Sequence, residues 1–164
     1  MNSVLALLLV LPLVIANTCS YSKGNISANW STSNNITTIN YQHSDLQNNQ
    51  YTAIGFGTSM KDLKVVLFTI SNNQANVQTG YTTGFAAPTI LYSSTSTTGV
   101  VQQLNYSGNT LTATLNFPAS TASYFGINQC GTWNFLDTGS YTNGQIQVHS
   151  SVPAQVQNVC AQQC

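Results

Sequence analysis

The chain has no arginine and no glutamate, and Lys23, Lys61, Lys64, Asp45, Asp62 and Asp137 carry all its side-chain charge apart from the two histidines. Without a basic face there is nothing to neutralise a phosphate backbone, so nucleic acid is excluded as a partner. Three carboxylates and two imidazoles, His43 and His149, leave hydrolytic chemistry few acid–base groups, and no Gly-x-Ser-x-Gly nucleophile elbow occurs. Gly55-x-Gly57-x-x-Met60 lacks the third glycine and the following helix of a dinucleotide loop. No carboxylate cluster accompanies the two histidines to make a zinc site. The expectation is a protein that is not an enzyme. Solubility must come from Ser, Thr, Asn and Gln.

Long apolar runs are also missing beyond the N-terminus. Met1–Ala16 has an apolar core at Val4–Leu11, continues through Leu13–Ile15 and ends in Val14-Ile15-Ala16. That is the pattern of a secretory signal cut after Ala16, leaving Asn17 first. Nothing else approaches the ~20 apolar residues of a membrane-spanning helix. The expected layout is a signal peptide over 1–16 and a single domain over 17–164, secreted and extracellular. Asn25, Asn29, Asn35 and Asn105 each open an Asn-x-Ser/Thr sequon, the acceptor of N-linked sugar. Cys19, Cys130, Cys160 and Cys164 form an even set, which in that compartment reads as disulfides rather than metal ligands. Three pairings are open. Cys160 and Cys164 either bridge each other or tie the tail to Cys19 and Cys130. The second arrangement is preferred because it fastens two loose termini to the sheet.

What is abundant is strand pattern. Tyr51, Ala53 and Gly55 alternate with Thr52, Ile54 and Phe56; Gly57-Thr58-Ser59 breaks the run, and Lys64–Phe68 resumes it with Val65, Val66, Leu67 and Phe68. Ile36–His43 places Thr37, Ile39, Tyr41 and His43 on one face. Thr110–Phe117 is the cleanest amphipathic strand, with Leu111, Ala113, Leu115 and Phe117 against Thr110, Thr112, Thr114 and Asn116. Ser71-Asn72-Asn73 and Tyr106-Ser-Gly-Asn109 read as turns. Lys23–Ser33, polar around Trp30, reads as an opening loop, and Asp45–Gln50 as a hairpin turn into Tyr51. Tyr124–Gln129, Thr132–Leu136 and Gln145–His149 read as further strands. Many short strands separated by Gly/Asn/Ser turns predict an all-β, antiparallel β-sandwich, immunoglobulin-like in layering.

The run Tyr51-Thr-Ala-Ile-Gly-Phe-Gly-Thr-Ser-Met60, with the hydrophobic strand after it, resembles the central signature of the DOMON family. Cys130-Gly-Thr-Trp133 and His149-Ser-Ser-Val-Pro153 resemble its C-terminal half, so the likeness runs from Trp30 to Cys164. It implies a secreted β-sandwich. In the family's haem-binding members the Met after the Gly-Phe turn and a His near the domain's end are the axial ligands. Met60 and His149 hold those places here, implying haem b and electron transfer with a redox protein. Phe56, Phe68, Tyr81, Phe85 and Trp133 are expected as porphyrin walls. The family often has an arginine before a proline where this chain reads Leu115-Asn116-Phe117-Pro118. Haem propionates are then left to Lys61, Lys64, tyrosines or solvent. Strand alternation sets His149 with Gln145 and Gln147, opposite Ile146 and Val148, and leaves His43 as the other imidazole. The alternative is a haem-free secreted module presenting Trp30, Trp133 and Tyr141 to a carbohydrate or protein.

Overall fold

In the computed structural model, which describes residues 19–94, 100–149 and 151–164, the period-two pattern becomes two stacked sheets. The expected signal over 1–16 and the cleavage point before Asn17 lie outside the described residues. In chain order the elements are β1 (Ser20–Lys23), β2 (Ile26–Ser33), β3 (Ile36–His43), β4 (Gln50–Phe56), β5 (Lys64–Ser71), β6 (Gln74–Tyr81), β7 (Thr89–Ser94), β8 (Val101–Ser107) and β9 (Thr110–Pro118). A short helix α1 (Ala119–Phe125), β10 (Gly131–Thr142), β11 (Gln145–Ile146), β12 (Ala154–Val159) and a 3-10 turn at Ala161–Gln163 complete them. The first sheet runs β1-β2-β3-β9-β8 and the second β11-β10-β4-β5-β6-β7, with β12 also on β10. Their neighbours pair antiparallel. The fold is an all-β antiparallel sandwich.

Between the sheets, Leu111, Ala113, Leu115 and Phe117 of β9 are buried, as their alternation predicts, and Thr37, Ile39, Tyr41 and His43 of β3 join them. Facing them are Ile54, Phe56, Val66, Phe68, Trp133 and Phe135. Trp30 and Trp133 meet across the layer with ring centroids 4.6 Å apart, and Tyr41 stacks on Phe68 at 5.2 Å. Such aromatic pairs add to the burial of large apolar area. Several polar groups of this interior are partnered, whereas the buried Trp30 Nε1 has no partner among the described residues. The Tyr41 hydroxyl donates to Thr52 Oγ1 at 2.5 Å, since Thr52 in turn donates to the Leu136 carbonyl at 2.6 Å. Burial raises the Tyr41 pKa, which keeps that donor protonated. His43 Nδ1 accepts from the Asp45 N–H at 3.3 Å, and Nε2 donates to Asp137 at 2.9 Å.

Several expectations are corrected. Lys23–Ser33 is not an opening loop: it joins β1 to β2, and Ile26, Ala28 and Trp30 are buried behind exposed Ser27, Asn29 and Ser31. Asp45–Gln50 does not close a hairpin, because β3 pairs with β2 and β9 while β4 pairs with β5 and β10. The segment crosses between sheets, pinned where Leu46 N–H donates to the Asn109 carbonyl at 2.8 Å and Tyr106 Oη donates to the Leu46 carbonyl at 2.8 Å. Tyr124–Gln129 is not a strand. α1 ends at Phe125, and Gly126 takes the left-handed conformation (φ 70°) that caps a helix while Ile127 N–H reaches back to the Ala122 carbonyl. Gln145–His149 pairs only at Gln145 and Ile146, and β7 and β12 are strands where none was expected. The turns at Asn72-Asn73 and Gly108-Asn109 do adopt positive φ, the requirement of tight hairpin turns that glycine and asparagine meet most readily.

Cys19 bonds Cys164 and Cys130 bonds Cys160, one of the two pairings that the preferred arrangement left open, and no cysteine is free. Both bridges tie the tail: one to the strand opening the first sheet, the other to the residue before β10. Replacing both Cys19 and Cys164 by serine should lower stability by about 2–5 kcal/mol in denaturant unfolding, chiefly by freeing the unfolded chain. An unfolding midpoint unchanged from the parent protein would contradict this.

Candidate functional site

β4 and β5 are apolar on both faces, a pattern that only makes sense if the outside of the second sheet is covered too. Tyr51, Ala53, Val65, Leu67 and Leu136 form a second cluster there with Leu63, and Met60, Ile90, Tyr141 and Ile146 pack against it. The cover is incomplete. Between residues 57–63 and 82–88 on one side and 146–149 with 151–153 on the other lies a cleft of about 850 Å³. That lies within the roughly 300–1,000 Å³ usual for small-molecule sites. Ala53 and Gly55 keep its floor low: a Cβ on Gly55 would come within 3.3 Å of Leu63 Cδ1 and 3.6 Å of the Asn134 Cβ.

Met60 and His149, far apart in sequence, both line this cleft. Met60 sits in the turn after β4, whose entry is held by Asn134. The Asn134 Nδ2 donates to the Gly55 carbonyl at 3.2 Å and the Gly57 carbonyl at 2.8 Å, and its Oδ1 accepts from Gln155 Nε2 at 2.9 Å. Gly57 N–H donates to the Thr132 carbonyl at 2.9 Å, and Gly57 itself has φ 132°, open to glycine and strained for other residues. The far end of the turn is closed reciprocally, with Leu63 N–H on Thr82 Oγ1 at 3.0 Å and Thr82 N–H on the Leu63 carbonyl at 2.9 Å.

His149 is set by a different device. The chain leaves the sheet after Ile146, which releases His149 from strand alternation and turns Val148 out to solvent. Tyr51 Oη donates to the Gln147 carbonyl at 2.9 Å, and burial pushes its pKa up to about 12, so it stays a donor at physiological pH. His149 Nδ1 lies 2.6 Å from the Ser151 carbonyl. A carbonyl only accepts, so Nδ1 carries the proton, and in the neutral ring Nε2 keeps its lone pair. That is the tautomer of a metal-ligating histidine whose other nitrogen is held by a backbone carbonyl.

The other expected site residues are elsewhere. Of the aromatics expected as walls, Phe56, Phe68 and Trp133 are in the inter-sheet core, Tyr81 is not among the lining residues, and Phe85 alone lines the cleft. His43 is fully buried in the core and does not line it. None of the lysines or aspartates lines it, and Lys64 lies over the rings of Tyr81 and Tyr124 at 5.1 and 4.9 Å. Trp30 and Trp133, the expected sugar platform, are buried at 3% and 1% exposure, while Tyr141 is partly buried. Sequence reading missed the roles of Asn134 and Tyr51. Asn134 left one trace, a lone amide in the apolar run Trp133–Leu136.

Among the described residues no helix is long and apolar enough to cross a membrane. A family model described as DOMON domain matches residues 22–139. A DOMON domain-containing protein of Caenorhabditis elegans is 32% identical over 152 residues, covering 91% of this chain and 89% of its own. Another, of Caenorhabditis briggsae, is 30% identical over 167 residues, covering 99% of this chain and 98% of its own. A second C. elegans protein of the same description is 30% identical over 152 residues, covering 90% and 82%. No solved structure matches.

Proposed function

This chain belongs to the DOMON domain family, and we propose that its cleft binds one haem b through Met60 and His149, making the protein a secreted one-electron carrier. The observation that carries this reading is the meeting of the two ligand types in one apolar-walled cleft, with the His149 tautomer set for ligation by the Ser151 carbonyl. Haem, when bound, supplies a one-electron couple, and Met/His ligation raises its potential. The chain's own part is to hold and shelter it. Phe85, Val148 and Val152 stand at 89%, 78% and 93% exposure around the mouth, apolar side chains that a flat macrocycle would cover. The absence of charge in the lining leaves the propionates to solvent, or to Lys61 in the exposed turn beside Met60. Both ligands are uncharged, so neither adds charge to the apolar site. Held by Met60 and His149, the haem would have no position left for oxygen, so electron transfer rather than catalysis is the task this reading assigns.

Secretion fits the two disulfides, which persist in oxidising compartments. A redox protein reaching the cleft mouth is the partner this function requires. The haem-free carbohydrate reading has lost both tryptophans of its platform. Haem titration of the folded, oxidised protein decides between them. The expected result is a sharp Soret band that saturates at one haem per chain, with low-spin ferrous bands. Non-saturable uptake overturns the proposal.

A further inference from the structure

All four sequons fall on one sheet. Asn25 is in the β1–β2 turn and Asn35 in the β2–β3 turn, at the two ends of β2. Asn29 points outward from the middle of β2, and Asn105 points outward from β8. No Asn-x-Ser/Thr occurs in the elements of the second sheet, where Asn76, Asn134 and Asn158 are the asparagines. In sequence Asn105 lies 70 residues beyond Asn35, and the strand order β1-β2-β3-β9-β8 brings it onto the face of the other three.

That face has physical need of a cover. Its strands β2, β3, β8 and β9 contain no lysine, arginine, aspartate or glutamate. Among the described residues β8 is an open edge of the sheet, and it lacks the charged residues and proline with which exposed edges avoid pairing with another chain. The outward amides and hydroxyls are ordered in cross-strand rows. Asn40 Nδ2 donates to Asn29 Oδ1 at 3.0 Å and Thr114 Oγ1 donates to Asn40 Oδ1 at 3.1 Å. In this ladder Asn29 uses its carbonyl oxygen, not the amide nitrogen that carries a sugar.

We propose that the outer face of the five-stranded sheet is a glycan-bearing face, with N-linked oligosaccharide on Asn29 and Asn105 and on the flanking turn residues Asn25 and Asn35. The donor is an oligosaccharide joined through pyrophosphate to a lipid. The asparagine Nδ2 forms a bond to the sugar's anomeric carbon as the bond from that carbon to the pyrophosphate oxygen breaks. The lipid pyrophosphate leaves, and the amide gives up one proton. The sugars then stand in for the missing surface charge and shield the β8 edge. The sheet that carries the cleft stays bare, so molecules reach the cleft from the sugar-free side. The proposal is independent of what the cleft binds.

The test is translation of the full chain with microsomes of the secretory pathway, followed by peptide:N-glycosidase digestion. The expected result is a protease-protected ladder of up to four steps that the glycosidase collapses. Asn29→Gln and Asn105→Gln each remove one step, as do Ser31→Ala and Ser107→Ala, which spoil the sequons but keep the asparagines. A chain that stays outside the microsomes overturns the proposal. So does a ladder from which neither Asn29→Gln nor Asn105→Gln removes a step.

Discussion

Replacing His149 by alanine should remove specific haem uptake, whereas replacing Met60 by alanine should leave haem bound but altered. The asymmetry follows from how the two ligands are held. His149 Nδ1 is engaged by the Ser151 carbonyl and its loop is tied through Gln147 to Tyr51, so Nε2 is fixed in place. A held imidazole is the stronger ligand, and loss of a mere outer-shell partner already costs about 10–100-fold in metal affinity. His149→Ala, which removes the ligand itself, should cost more than that. Met60 offers a neutral, soft thioether from a flexible side chain. Met60→Ala should move the iron toward high spin and lower its potential, since methionine ligation raises it. His43→Ala serves as the control: it lies in the core on Asp137 and outside the cleft, so haem affinity should hold even as stability falls. Parent protein that takes up haem no better than His149→Ala would sink the cytochrome reading.

The same residues mark where sequence was enough and where it was not. β9 was legible because leucine and phenylalanine alternate with threonine, and local period two is all a sandwich strand needs. That the tail cysteines bond Cys19 and Cys130 was legible because that arrangement orders the tail, but which bonds which was not, since Cys160 and Cys164 lie too close in sequence to tell apart. Lys23–Ser33 was not legible, since its inward alanine and tryptophan are diluted by serines and asparagines that read as loop. The crossover at Asp45–Gln50 was not, because turn residues announce a reversal but not which sheet receives the next strand. At the site, Met60 and His149 were named only through a family likeness. Their place on one cleft depends on how residues 57–63, 147–149 and 151–153 fold over the second sheet, and those segments are held by Asn134 and Tyr51 across tens of residues. No local pattern encodes a hydrogen bond of that span. Apolarity on both faces of β5 was the one local hint that something covers the outside.

The largest effect on the fold itself should come from a single position of β9. Leu115 is fully buried between Ile39 of β3 and Val101 of β8 and faces the second sheet. Leu115→Asp loses a core side chain, worth about 2–5 kcal/mol in comparable truncations. It also buries a carboxylate for which this nearly chargeless interior has no cation, a further ~3–5 kcal/mol. Together these approach or exceed the ~5–15 kcal/mol that holds a typical domain folded. The variant should fail to appear as folded protein, with the unfolded fraction rich in mispaired cysteines. Thr114, one residue earlier, points the other way and donates to Asn40 Oδ1 at the surface. Thr114→Asp exchanges that donor for an acceptor in water, costing about 1 kcal/mol, and should express and fold as the parent does. Comparing the yield of oxidised protein and the urea midpoint of the two variants checks this directly. Equal damage from both would mean that β9 does not divide core from solvent, and the sandwich would have to be redrawn.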